Sequence, residues 1–117
     1  MRVRILAVLT LFTVLSGAAY ADVREDAKAQ VEFGISVAQK GLWKEAIYRW
    51  ERATQIDPSY AAALNNLAIA YEHEGELAKA RSAYEKALEL EPDNALIKQN
   101  YELFREINDR ATRKDSQ

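Results

Sequence analysis

The sequence contains no cysteine, which removes disulfides, thiol chemistry and lipid attachment at a cysteine following a leader peptide. It has only four glycines and two prolines, and no glycine-rich run that could cradle a phosphate. Histidine occurs once, at His73. Its acidic neighbours Glu72, Glu74 and Glu76 are interrupted by Gly75. A zinc site would ask for cysteines or a second histidine, so this stretch reads as a solvated acidic corner. Ser36, Ser59 and Ser82 lack an organised base and are not nucleophile candidates. No catalytic constellation, cofactor site or metal site is present in the sequence pattern. A basic excess is also missing: the formal net charge is −2. Nucleic acid, whose binding draws most of its affinity from a basic surface, is therefore not an expected partner. An anionic lipid surface is excluded on the same ground.

What is present begins with an export-like leader over residues 1–21. Arg2 and Arg4 form a basic start, Ile5–Leu15 is apolar, and Ala19-Tyr20-Ala21 places small residues where a signal peptidase reads them. Cleavage is expected before Asp22, giving a protein of the bacterial periplasm. The alternative is an uncleaved inner-membrane anchor. Residues 5–21 are uncharged, but these 17 positions fall just short of a comfortable span and end in Ser16-Gly17-Ala18-Ala19. No membrane association beyond the leader is expected. Removing Arg2 and Arg4 takes the basic count from 16 to 14 against 18 acidic residues, a formal charge of −4. What remains, 22–117, is one small domain.

That domain is organised around Ala61–Asn94, which repeats the run Ala27–Tyr60 in register. Ala61, Gly75, Ala80, Ala87 and Pro92 return 34 residues after Ala27, Gly41, Ala46, Ala53 and Pro58. A fixed period of this length marks a repeat architecture. Apolar spacing predicts five helices after the leader. Asp22 is a candidate cap for the first, which runs to about Lys40 and stops at Gly41. The second spans Leu42–Ile56 and ends at Asp57-Pro58, because proline turns the residue before it away from helix. The third is Tyr60–Glu74 and the fourth Leu77–Leu90. The fifth starts after Asp93 or Asn94 and runs 95–110, leaving a polar, frayed tail 111–117. Its stripe Lys98, Glu102, Arg105 and Asp109 closes the stack, and its face Ile97, Tyr101 and Phe104 should bury against the fourth helix. No stretch alternates with period two, so the fold class is all-α, a stack of antiparallel hairpins.

These units resemble tetratricopeptide (TPR) repeats. Phe33-Gly34, Val37, Ala46, Trp50, Ala53 and Pro58 in repeat 27–60 stand where Leu67-Ala68, Tyr71, Ala80, Tyr84, Ala87 and Pro92 stand in repeat 61–94. The tryptophan often found near the start of the first helix is replaced by Gln30 and Leu64. The resemblance implies a right-handed α-solenoid fragment, two repeats with a capping helix, that acts as a protein-interaction adaptor or scaffold.

By the same resemblance, the first helix of each unit lines a concave groove. Its protein-binding residues would be Val31, Ile35, Asn65, Asn66, Ile69, Leu96, Asn100, Leu103 and Ile107, with Lys28, Glu32, Gln39 and His73 nearby. Some members grip a C-terminal carboxylate with lysines, an arginine and asparagines. The corresponding places here are Val31, Ile35, Asn66, Leu96 and Asn100, so the asparagines survive, every basic residue is missing, and such a clamp is not expected. The expected ligand is a peptide or helix of another protein. The alternative is self-association as a structural component of an envelope complex. In that case a homodimer would form through the helix-five stripe or through an open side of the first hairpin bearing Trp43, Ile47 and Tyr48.

Overall fold

Helix-forming residues separated by short glycine and proline turns give five α-helices in the computed structural model, which describes the backbone of residues 2–116 and the side chains of residues 19–116. They are α1 (Arg2–Gln39), α2 (Trp43–Ile56), α3 (Ala61–His73), α4 (Leu77–Leu90) and α5 (Ala95–Asp115). α1 pairs with α2 and α3 with α4 as antiparallel hairpins, α2 packs on α3, and α5 closes on α4. The fold is all-helical, a TPR-like stack. Gly41 and Gly75 both take positive φ, 77° and 76°. Each lets the chain reverse between the helices of its hairpin without the penalty a Cβ would carry.

Two boundaries differ from the sequence expectation. α1 is not capped at Asp22 but runs through it. No proline or glycine stands between Gly17 and Gly34 to stop a helix there. The leader's apolar run Ile5–Leu15 belongs to residues whose side chains lie outside those described. Among the described residues, no helix is long and apolar enough to cross a membrane. At the other end, the predicted tail is helical as far as Asp115. Polarity does not oppose a helix: Thr112 Oγ1 donates to the Asn108 carbonyl at 3.0 Å, Arg110 pairs with Glu106, and Arg113 and Lys114 sit in the last turn. There the positive charges complement the dipole.

Small residues set the hairpin contacts. Ala46, Ala53, Ala68, Ala80 and Ala87 are fully buried, so paired backbones approach closely. Aromatics fill the remaining space. Trp50 lies over Gly34, where an added Cβ would come within 2.3 Å of Trp50 Nε1, and that nitrogen donates to the Val31 carbonyl at 3.1 Å. In the second hairpin Tyr84 packs against Tyr101 and Phe104 with ring centroids 5.7 and 5.5 Å apart. Ile97 and Phe104 are 2% and 1% exposed. Each such burial contributes on the order of 1.5–3 kcal/mol, which fixes α5 on α4 as the apolar face predicted. Asp109, from the polar stripe, reaches back to Arg81 at 3.1 Å.

The turn between repeats is held by a polar cluster. Asp57 is buried and accepts from the Ser59 N–H and hydroxyl at 3.0 and 2.6 Å, and from Arg24. The Arg24 guanidinium also lies 4.4 Å from the centre of the Tyr60 ring. Burial works to raise the Asp57 pKa. The Ser59 hydroxyl, the Arg24 guanidinium and the Ser59 N–H outweigh it and hold the carboxyl below its ordinary value.

Candidate protein-binding groove

α1 and α3 lie side by side, with α5 continuing the row. Ile35, Ile69 and Leu103 occupy one place in three successive registers of 34 residues. They are 42%, 36% and 56% exposed. A helix buries one stripe against its neighbours and leaves the opposite side in water; these three aliphatics stand on that outer side, one per helix.

Between α1 and α3 the face sinks into a depression of about 340 Å³, lined by Ile35, Ala38, Gln39, Trp43, Trp50, Asn66 and Ile69. Trp50 is 4% exposed and makes its floor. Trp43, the first residue of α2, closes one end, because the tight turn at Gly41-Leu42 carries α2 back over the last turn of α1. Its ring stacks on His73 at 4.2 Å between centroids, with the planes 21° apart. No ionisable side chain lines the depression. Its polar groups are the amides of Gln39 and Asn66, each able to donate and accept. The arrangement suits one or two large apolar side chains with an amide at the rim for a backbone group.

The nine residues anticipated from sequence separate into three sets. Ile35, Asn66 and Ile69 are brought together around the depression. Leu96, Leu103 and Ile107 form an exposed stripe on α5, at 60%, 56% and 55%, outside the depression. The remaining three are turned to internal work. Val31 is 5% exposed and Asn65 6%, so neither offers its side chain to a ligand. Val31 packs in the core while its carbonyl holds Trp50. Asn65 accepts from the Asn100 amide at 3.1 Å, a bond that ties α5 to α3 and occupies one face of Asn100. They differ from the expectation because Val31 is engaged by Trp50 of α2 and Asn65 by Asn100 of α5, a packing detail that helical period alone does not resolve.

Trp43 was expected on an open side with Ile47 and Tyr48. It belongs to the groove instead. Ile47 packs against the core and only Tyr48, 53% exposed, faces water. The available signal was position: a residue that opens α2 two places after the turn glycine must lie near the end of α1. His73 likewise is no isolated corner residue, since it supports Trp43. Among its acidic neighbours, Glu72 accepts from the Tyr84 hydroxyl at 3.1 Å, Glu74 lies 3.9 Å from His73 Nδ1, and Glu76 pairs with Lys79 at 3.4 Å. Burial first, then Glu72, pushes the Tyr84 pKa far above its ordinary value. Tyr71 is raised in the same way by burial and by Glu51, to whose carboxylate it donates at 2.7 Å. Both phenols therefore stay protonated and donate to these carboxylates.

Comparison with known proteins agrees with this architecture. The tetratricopeptide repeat family model matches residues 61–94, and a second TPR repeat model matches residues 36–75. The uncharacterized protein ycf37 of Pyropia yezoensis is 51% identical over 45 residues, 38% of this chain and 25% of that protein. The chloroplastic tetratricopeptide repeat domain-containing protein PYG7 of Arabidopsis thaliana is 31% identical over 77 residues, 66% of this chain and 26% of its own length. The type IV pilus assembly protein PilF of Pseudomonas aeruginosa is 34% identical over 79 residues, 67% and 31% of the two chains. The chain thus spans about a quarter to a third of these curated relatives. With the period, the small-residue contacts and the family matches in agreement, the chain belongs to the tetratricopeptide repeat family, a fold of protein–protein interaction.

Proposed function

We propose that this chain is an exported adaptor, without enzymatic activity, that holds a segment of another protein on the α1–α3–α5 face. The observation that carries the reading is the uncharged depression where Ile35, Asn66 and Ile69 meet beneath Trp43. An apolar side chain of the partner enters it, while Asn66 and Gln39 hydrogen-bond to the neighbouring backbone without selecting a side chain. A role in assembling other proteins is in keeping with the resemblance to PilF, a type IV pilus assembly protein. Export rests on Arg2, Arg4, the apolar Ile5–Leu15 and Ala19-Tyr20-Ala21. Intact-mass measurement from the native host should find a chain beginning at Asp22. A species that retains residues 1–21 would instead support an anchored adaptor.

The groove is tested by the double change Asn66→Ala with Ile69→Ser. Neither side chain is fully buried, so the variant should fold. Partners captured by the parent from an envelope extract and identified by mass are then titrated against both proteins. Trp43 and Trp50, which both line the depression, report occupancy through their fluorescence. Affinity should fall tenfold or more, on the order of 1.4 kcal/mol. A folded double variant that binds each partner at parental strength would move the site off this face.

A further inference from the structure

The fold leaves two apolar features uncovered on one face. One is the depression between α1 and α3. The other is the stripe of Leu96, Leu103 and Ile107 on α5, each more than half exposed. Because Leu103 continues the row of Ile35 and Ile69, a two-fold axis running along α3 would lay α5 of each copy over α1 and α3 of the other. Both contacts form at once, and the assembly closes at two copies. One helix in one groove is a small contact; doubling it brings the area toward the roughly 800 Å² per partner that specific interfaces use.

Charge sets the direction of such a contact. The α3–α4 turn beside Trp43 and His73 carries Glu72, Glu74 and Glu76, whereas Lys40 and Lys44 stand across the rim at the α1–α2 turn. The last turn of α5 carries Arg113 and Lys114 ahead of Asp115, while Arg110 is paired with Glu106. Its basic end has one favourable side, toward the acidic turn.

We propose that a second copy of this chain occupies the groove, with Leu103 and Ile107 of its α5 seated in the depression between α1 and α3 and its last turn against Glu74. The proposal rests on the reading of this face as a binding surface and adds the occupant present when no foreign partner is bound. Sedimentation equilibrium of the full chain should show a reversible monomer–dimer equilibrium, and dilution should change the tryptophan emission as the depression empties. Leu103→Ser with Ile107→Ser should raise the dissociation constant at least tenfold, with a melting temperature equal to the parent's at concentrations where both are monomeric, because both side chains are exposed in the single chain. Glu74→Arg should weaken the dimer, and adding Arg113→Glu and Lys114→Glu to the same chain should restore it. A parent chain that is monomeric at every concentration, a stripe variant that dimerises as tightly as the parent, or a charge reversal that restores nothing would overturn the proposal. A monomeric parent leaves the adaptor reading intact, since that reading is decided by titrating foreign partners against the Asn66 and Ile69 variant.

Discussion

The two repeats share a register and differ in what surrounds them. At the seventh place of each, Leu67 is 4% exposed and Phe33 46%. Leu67 lies in the core cluster with Trp50 and Ala53 of α2, whereas Phe33 stands half exposed beneath the Arg49 guanidinium, 4.2 Å from its ring centre. At the eighth and twenty-fourth places the repeats use different pairs, Gly34 with Trp50 and Ala68 with Tyr84. The larger ring needs the smaller neighbour. The turns that close the repeats also diverge. The first is tied through buried Asp57 to Ser59 and Arg24, while in the second Glu91 is exposed and Asn94 caps α5, its side chain accepting from the Ile97 N–H at 3.2 Å. One sequence pattern thus supports two differently packed units, and the neighbours of each place decide what its residue contributes.

The largest expected effect contrasts the seventh places. Leu67→Ala should cost about 2–5 kcal/mol by urea denaturation, the range for a buried leucine. Phe33→Ala should cost less than about 1 kcal/mol, because so much of the ring is already in water. Equal losses at the two sites would mean that Phe33 is covered in solution, by a second copy or by another segment.

Next comes the glycine–tryptophan pair. Gly34→Ala should displace Trp50, break its bond to Val31 and cost about 1–3 kcal/mol through overpacking. Combining it with Trp50→Tyr reproduces the pair of the second repeat and should recover part of that loss. If the double variant is less stable than the sum of the single changes, the two repeats do not obey one packing rule.

Asp57 separates the two turns by pH. Its folded pKa lies below its unfolded value, so its contribution is fully present above the ordinary carboxylate range, near 4. It is lost as pH falls through the lower, folded pKa. Asp57→Asn should therefore cost about 1.5–3 kcal/mol at neutral pH, and the difference from the parent should shrink as the pH falls below 4. A gap between parent and Asp57→Asn that stays constant from pH 7 to pH 2.5 would show that the charge is not what holds the turn.

The smallest effect is expected at the α5 cap. Asn94→Ala should cost about 1 kcal/mol and, since α5 carries the Leu103 and Ile107 stripe, should loosen that end more than the groove. Hydrogen exchange should show faster opening in residues 95–100 and little change in α1.

Much of the fold could be read from the residues. The period, the turn glycines, Pro58 and Pro92, the small residues at the hairpin contacts and the α5 face Ile97, Tyr101 and Phe104 all found their expected places. Around the depression, Ile35, Gln39, Asn66 and Ile69 were legible. Val31 and Asn65 sit one helical position too far inward, and a shift of that size lies within the width of an apolar stripe. Trp43 was misplaced because the sequence says where a helix begins, not how far the preceding turn folds it over its neighbour.

The sequence by itself determined the repeat, the helical class and the ends of α2, α3 and α4, because helix period, glycine with positive φ and proline act within a few residues of the chain. The close fit between helices was decided by the tertiary structure. That settled the Trp50–Gly34 fit, the Trp43–His73 stack, the Asn65–Asn100 bond and the Arg24–Asp57 tie. Each joins residues 16 to 35 positions apart, so it depends on how close two helices come and at what angle, and no local preference of the chain sets either.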